Sequence, residues 1–514
     1  MIQSAPFLLD DSDLPALREV ISNLARIGYS EKVVLERLGL TSFSDLQWRA
    51  TPMYREECLA NRDPLTLAIE LFLLQGSVSE HELSTLFADT SLIDQSRIDQ
   101  SSRDALIRTG LLAIDDTGRA RARASLFPVG KRLVFSDHAW PELPHPGYKT
   151  VPYDQVMFVG GDSRALAHCT PRRPVRAALD LCTGSGIQAL LVAEHAERVV
   201  AVDINERAAR CTRFNGRVSG AANLEVVVGD LFEPIRERRF DLITANPPFV
   251  PSPLNTLGFR DGGRSGEDIQ KRIVAGLPDH LAPGGSAHMI TELGERDNEP
   301  LANRLREWLA GSPMDIHILR LREFSATKYA IGHAKGDDYD VFLDSVQSWA
   351  GNLRAQGYQR VVVVLISFQW SDPASGPPWV RVDETQAPQR AAGAEIEAAF
   401  QAERLSRRLD LPETLKHSWL RRTGPIALLD AQLLGSKLRT KANAKATLLG
   451  QALPVEHQLD PVERQLLNCL DKRVTVSALL GQARQLSVTD DSVLAAITSL
   501  LRRRLICSEP SSEV

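Results

Sequence analysis

The sequence predicts an α/β protein: a doubly wound, mostly parallel sheet of seven strands with a helical region on either side. Three observations carry this. Residues 146–390 alternate short aliphatic runs with helix-length segments, the pattern of a parallel sheet covered on both faces. One of those runs ends in a glycine-rich turn, Thr183-Gly184-Ser185-Gly186, that opens a helix. The flanks, 1–145 and 391–514, instead repeat apolar residues at helical spacing. With 514 residues the chain is too long for one hydrophobic core, so three domains with these bounds are expected.

In residues 1–145, Leu14, Leu17, Val20, Ile21 and Leu24 mark one helix face, and Asp63-Pro64 forms an N-cap and first-turn pair for another. Strands around the turn Asp116-Thr117-Gly118 follow, so the region reads as winged-helix-like. Arg119, Arg121 and Arg123 would share one strand face; a solvated hairpin edge is preferred over a phosphate contact for them. The seven core strands are read at 176–182, 198–203, 224–230, 240–246, 286–292, 315–321 and 360–368, with an extra helical piece at 337–358. Residues 391–514 read as mostly helical, with stripes at Leu466, Leu467 and Leu470 and from Val493 to Leu501, and Asp490 and Asp491 as caps of the last helix. A second winged-helix-like unit would fit there.

Composition is that of a soluble globular protein, 43% hydrophobic and 24% charged. A formal net charge of −5 gives no support to a broadly basic nucleic-acid surface. The six cysteines are scattered without a C-x-x-C pair, and the histidines lack ligand spacing, so no disulfide framework and no metal is expected. No leader and no membrane-length apolar run is read, so a cytoplasmic protein is expected.

Gly184, Gly186 and Ala189 fit G-x-G-x-x-A between a strand and a helix, which admits a ligand against bare backbone. The next strand ends in Asp203, about 20 residues on, where an acid holds ribose hydroxyls. The third leads to Asp230, followed by Leu231 and Phe232, placed to border an adenine. Asp180 stands three residues before Thr183. An acid beside the loop disfavours a pyrophosphate and suits a cationic cofactor such as S-adenosylmethionine.

The fourth strand runs into Asn246-Pro247-Pro248-Phe249. Prolines hold φ near −65° and so freeze the carbonyl of Pro247. That carbonyl and the Asn246 side-chain oxygen could accept the two N–H groups of a planar amide or amine, with Phe249 as a flat face beside it. The segment after it, 250–268, is rich in glycine and proline and reads as a substrate lid. His333, Asp337, Asp338 and Tyr339 read as a solvated loop.

In this order, "LDLCTGSG", "VVAVDINERA", "VVVGDLF" and "DLITANPPF" resemble the class I SAM-dependent methyltransferases, and within them the group with an [N/D]-P-P-[Y/F/W] motif. That group includes the release-factor glutamine methyltransferases, the small-domain ribosomal RNA guanine methyltransferases and the N6-adenine DNA methyltransferases. The wider chain, with "VMFVGGDSRALAHCTPRRP" before the loop, resembles bacterial methyltransferases of about this length. The resemblance implies a Rossmann-like core that binds S-adenosylmethionine and releases S-adenosylhomocysteine. It implies Asp180, Thr183, Gly184 and Gly186 around the methionine part, Asp203 at the ribose, Asp230 and Leu231 at the adenine, and Ser185 and Ile204 also in the cofactor site. Asn246, Pro247, Pro248 and Phe249 would bind the target nitrogen, with Asn246 also next to the cofactor and with Phe249, Phe259 and Arg260 on the acceptor side. The expected activity is N-methylation of a macromolecule, at a protein glutamine amide or a nucleic-acid exocyclic amine. The alternatives are a small-molecule N-methyltransferase and, behind it, a SAM-binding regulator without catalysis. A monomer or homodimer is expected.

Overall fold

The computed structural model describes residues 6–87, 100–138, 153–254, 256–297, 299–408, 411–416, 418–434 and 437–510. The first five residues of the N-terminal stretch read for a leader, and the expected boundary at 145, lie outside them. The chain divides into two compact units. The first is Met1–Ala167, Arg173–Trp308 and Phe324–Val361; the second is His168–Arg172, Leu309–Glu323 and Val362–Val514.

All seven predicted strands are present. Five lie in the first unit: Val175–Leu181, Ala196–Asp203, Leu224–Val228, Phe240–Ala245 and Leu281–Glu295. The first of these is central, and the next two pair outward from it on one side, all parallel. The chain then crosses over, so that Phe240–Ala245 pairs with the other side of Val175–Leu181 and Leu281–Glu295 lies beyond it. The direction of winding therefore reverses at Val175–Leu181, and a crevice opens at the carboxyl ends of these strands. The burial of aliphatic residues such as Leu179, Val199, Val200 and Ile243, each 1% exposed or less, is what a sheet covered on both faces requires.

The helical N-terminal prediction holds at its best-specified points. Leu17, Val20 and Leu24 are buried on helix Leu14–Arg26. Asp63 caps the helix that begins at Pro64, its Oδ1 accepting from Thr66 N at 2.8 Å. Further helices, Glu80–Leu86 and Gln100–Arg108, precede the antiparallel strands Leu112–Ile114 and Ala120–Ala122. Arg119 is tied to the side-chain and main-chain oxygens of Ser77, and Arg121 to Asp115, so neither guanidinium stands free for phosphate. One apolar cluster joins this region to the sheet's helices, including Phe7, Leu126 and Phe135 together with Ile187, Leu190 and Phe214. Phe214 meets Phe7 and Phe135 at ring-centroid distances of 6.0 and 5.7 Å.

In the second unit the two remaining predicted strands, Met314–Ser325 and Arg360–Trp370, are joined by an eighth, Val380–Glu384, paired parallel with Met314–Ser325. Five residues with two acids make no apolar run, which is why that strand escapes a reading by hydrophobicity. The C-terminal helices Pro461–Cys469, Val476–Gln485 and Asp490–Arg502 are as expected. However, Thr489 rather than an aspartate caps the last of them, its Oγ1 accepting from Ser492 N. The region is also less helical than its stripes predict. Strands Ser418–Arg422, Ile426–Leu434, Lys437–Leu448 and Glu456–Leu459 occupy the stretch between the helices. Small alternating residues, Ala444 and Ala446 buried with Leu448, carry a period of two that is too weakly apolar to stand out. Among the described residues no helix is long and apolar enough to cross a membrane, and no three His, Cys, Asp or Glu side chains gather to hold a metal.

Candidate active site

The loop after Val175–Leu181 sits where the winding reverses. Its backbone is left-handed at every second residue, with φ of 55° at Cys182, 57° at Gly184 and 82° at Gly186. The two glycines serve different ends. A Cβ on Gly186 would lie 2.8 Å from the Thr212 methyl carbon, so that position is closed by packing against helix Glu206–Val218. A Cβ on Gly184 would meet nothing within 4 Å, so its open side is available to a ligand. Thr212 holds the loop down by donating to Gly184 O at 3.0 Å.

Asp180 is 2% exposed. Its Oδ2 accepts from Thr183 Oγ1 at 2.6 Å and Ala189 N at 3.2 Å, and its Oδ1 accepts from Thr244 Oγ1 at 2.9 Å. Burial pushes this carboxyl up to about 6, against the pull of those donors. Its carboxylate is thus engaged with the protein on both oxygens and braces the glycine loop. Asp203, at the end of the neighbouring strand, takes Gly184 N at 2.8 Å on Oδ2 and Asn205 N at 2.9 Å on Oδ1. Burial raises its pKa as well. Ile204 beside it is 72% exposed. Asp230 receives Arg272 Nη2 at 2.8 Å, and Leu231 after it is buried with a left-handed φ of 49°.

These strand ends surround a cavity of about 520 Å³. Asp180, Thr183, Gly184, Ser185, Asp203, Ile204, Asp230, Leu231, Asn246, Pro248 and Phe259 all line it. Asn246 follows strand Phe240–Ala245. Its Nδ2 donates to Ser163 Oγ at 3.2 Å, which orients the amide, while Oδ1 is buried with no protein partner among the described residues.

Residues 159–308 match the family described as "Methyltransferase small domain". This stretch of the chain is a methyltransferase domain. Its relatives agree. The ribosomal protein uL3 glutamine methyltransferase of Bradyrhizobium diazoefficiens is 38% identical over 149 residues, 26% of this chain and 46% of the relative. The release factor glutamine methyltransferase of Geobacter sulfurreducens is 34% identical over 155 residues, 27% of this chain and 53% of the relative. The uL3 glutamine methyltransferase of Bordetella pertussis is 33% identical over 196 residues, 35% of this chain and 59% of the relative. The chain spans about half the length of the curated relatives it matches.

Four predicted residues stand back from the methyltransferase domain's cavity lining: Gly186, Pro247, Phe249 and Arg260. Phe249, expected as the flat face beside the target, is 7% exposed and packs in an apolar cluster with Tyr329, Ala330, Trp349 and Leu353. Its amide donates to Arg260 O at 3.1 Å, so the motif's backbone is stitched to the following loop. Arg260 pairs through Nε with Asp261 Oδ1 at 2.8 Å and lies over the Trp349 ring at 5.7 Å. Asp261 in turn takes the amides of Thr256 and Leu257 at 2.7 and 3.0 Å, which shapes the expected lid. His333, expected in a solvated loop, ends helix Ala326–His333 and stacks between Tyr329 and Trp349 at 4.2 and 4.9 Å. Its burial lowers its pKa. Asp338 is the N-cap of the helix that starts at Tyr339, and Tyr339 is exposed.

Sequence reasoning missed Ser163, Arg272 and the cavity-lining segment Tyr153–Met157. Only the quoted stretch beginning at Val156 carried a signal for any of them, and that signal named no role.

Proposed function

We propose that this protein is a SAM-dependent N-methyltransferase whose acceptor is the side-chain amide of a glutamine in another protein. The observation that carries this is Asn246: a residue lining the cavity whose amide oxygen is buried, held in place through Nδ2, and without a protein donor among the described residues. A buried acceptor left unmade costs about 1–3 kcal/mol, so its retention at that spot points to a donor that arrives with the substrate. The three relatives named above are glutamine methyltransferases, which favours an amide over a base amine.

The residues fit the cofactor. A cavity of about 520 Å³ is within the range of small-ligand sites. The open face of Gly184 admits a ligand to the backbone. In this reading Thr183, Gly184 and Ser185 border the methionine part, Asp203 takes the ribose hydroxyls, and Ile204 and Leu231 flank the adenine with Asp230. Asp180 acts through the loop it braces, and Gly186 through its packing on Thr212. S-adenosylmethionine, when bound, supplies an activated methyl group on a sulfonium and leaves as S-adenosylhomocysteine. Asn246 Oδ1 accepts one amide hydrogen of the glutamine; Pro247 stands back from the cavity, so its carbonyl is not assigned the other. The Asn246 acceptor strengthens as positive charge develops on nitrogen, so it favours the transition state over the ground state. The chain positions the nitrogen and needs no base to deprotonate it before attack.

The flanks are read as acceptor-recognising parts. The order helix, strand, two helices and two strands from Pro64 to Ala122 supports a winged-helix-like module within 1–145, followed by the core of 146–390 and the domain of 391–514. A cytoplasmic monomer or homodimer is the matching assignment. The test is transfer of labelled methyl from S-adenosylmethionine into a lysate separated into protein, RNA, DNA and small-molecule fractions, with Asn246→Ala beside the wild type. Label on a protein glutamine is expected. Label in RNA, DNA or small molecules alone would overturn the acceptor assignment, and cofactor binding without transfer to any fraction would overturn the catalytic one.

A further inference from the structure

Residues Tyr153–Met157 all line the cavity, yet this segment has no helix or strand of its own. Side chains from elsewhere set its position. Asp137, just after the N-terminal strand Arg132–Ser136, takes the Val156 amide on Oδ2 at 2.8 Å. The same carboxylate holds Arg207 in a two-point pair, Nη2 to Oδ1 at 2.6 Å and Nε to Oδ2 at 3.0 Å. Asp137 is 6% exposed, so this is a buried, charge-assisted junction. The main-chain oxygen of His138 accepts Gln155 Nε2 at 2.9 Å, one residue along the same wall.

The other half of the junction reaches the cofactor-side acid. Arg207 opens helix Glu206–Val218, and its amide donates to Asn205 Oδ1 at 2.9 Å. Asn205 donates its own amide to Asp203 Oδ1 at 2.9 Å and its Nδ2 to Asp154 O at 2.8 Å. A chain of bonds therefore runs from Asp137 through Arg207 and Asn205 to Asp203, and it closes on the wall at Asp154 and Val156. Every link is a direct hydrogen bond; Asp154, Val156 and Asp203 line the cavity, and Asp137 stands behind it.

We propose that Asp137 is a positioning residue for the cofactor: it locks the Tyr153–Met157 wall to the Asp203 edge, which makes the N-terminal region a working part of the cofactor site. This rests on the cofactor reading above. Asp137→Ala leaves the Val156 amide without its acceptor and Arg207 without its partner, so the wall loses its register with Asp203. Asp137→Asn keeps one acceptor for Val156 but removes the charge that holds Arg207.

The test is calorimetric titration of the full chain with S-adenosylmethionine and S-adenosylhomocysteine, beside thermal unfolding. The wild type binds; Asp137→Ala raises Kd about tenfold or more, equal to about 1.4 kcal/mol, and Asp137→Asn raises it less. In labelled transfer, KM for S-adenosylmethionine rises while kcat at saturating cofactor is retained. A residue that only supported the fold would lower Tm and leave the Kd of the folded fraction unchanged, and Kd within twofold of wild type in folded Asp137→Ala overturns the proposal. If Asp137→Ala does not fold, Asp137→Asn and Gln155→Ala carry the same comparison, and an unchanged Kd in both overturns it. A wild type that does not bind S-adenosylmethionine overturns the cofactor reading itself, a result distinguishable from an unaffected variant.

Discussion

Replacing Asn246 by alanine separates two effects that most active-site substitutions confound. Among the described residues the Oδ1 atom has no protein donor, while Nδ2 makes one bond of 3.2 Å to Ser163. Truncation to alanine therefore removes one long hydrogen bond worth about 1 kcal/mol and relieves a buried unmet acceptor that costs about 1–3 kcal/mol. Stability is expected to stay level or to rise, read as an unchanged or higher Tm. Activity moves the opposite way. Loss of one preorganised acceptor at a site of developing charge costs about 10²- to 10³-fold in kcat, or about 2.7–4 kcal/mol. The assay is initial rate of labelled methyl transfer at saturating cofactor and acceptor, with unfolding followed by circular dichroism on the same preparation. A variant that keeps a tenth or more of wild-type kcat would refute the role of Asn246 Oδ1 as the substrate's acceptor. So would a clear fall in Tm, because it would mean that Oδ1 serves the fold.

The two loop glycines divide in the same manner. Gly186→Ala combines a left-handed φ of 82° with a 2.8 Å approach to Thr212 and should unfold at lower denaturant, with part of the loss recovered in Gly186→Ala/Thr212→Ser. Gly184→Ala has only the left-handed strain, about 1–2 kcal/mol, but its methyl enters the cavity and should weaken cofactor binding in a titration; equal affinity would contradict the open-face assignment. Phe249→Ala should cost about 3–5 kcal/mol of stability in chemical denaturation, since the ring is core, whereas Phe259→Ala, on the cavity, should alter acceptor or cofactor KM with little change in Tm. Asp180 should leave a pH signature. Its folded pKa of about 6 exceeds the ordinary 3.8, so the folded state binds the extra proton between those values. Its stabilising share is full below about pH 4 and is lost as pH rises through about 6. Wild type should therefore lose roughly 2–3 kcal/mol relative to Asp180→Asn between pH 4 and 7, measured by denaturant midpoints; a flat difference would refute the shift.

What the sequence made legible was what lies close together along it. The strand, the left-handed loop and the helix that follow Val175 occupy under twenty residues, and the turn chemistry that glycine supplies is written at its own position. Asp203 and Asn246 were likewise readable because each closes a strand, and strand ends of a doubly wound sheet meet. The missing half of the site depends on long-range partners. Asn246 is oriented by Ser163, 83 residues away, and Asp230 is paired with Arg272, 42 residues away; no local pattern announces either. The direction of the Phe249 ring was misjudged for a related reason. The motif shows that an aromatic follows two prolines, but only the later helices carrying Tyr329 and Trp349 supply the apolar cluster that takes it. Arg260 was placed on the acceptor side, and its own neighbour Asp261 holds it. The eighth strand and the C-terminal strands went unseen because short, weakly apolar segments acquire their pairing from the fold around them.

The shared apolar cluster of the first unit bears on how such a protein can be inherited. Phe214, on a helix of the methyltransferase domain, is covered on one side by Phe7 and on another by Phe135. Asn215 beside it exchanges bonds of 3.0 and 2.7 Å with the main chain of Phe135. A chain beginning at residue 146 would open this face to water and leave Asn215 without those partners. The matched stretch is therefore not a cassette that can be cut out, shuffled or fused elsewhere while its front end is exchanged freely. Recombination within the first unit would have to bring compatible versions of both parts together, so the N-terminal region and the sheet it packs on are expected to have travelled, and diverged, as one heritable piece.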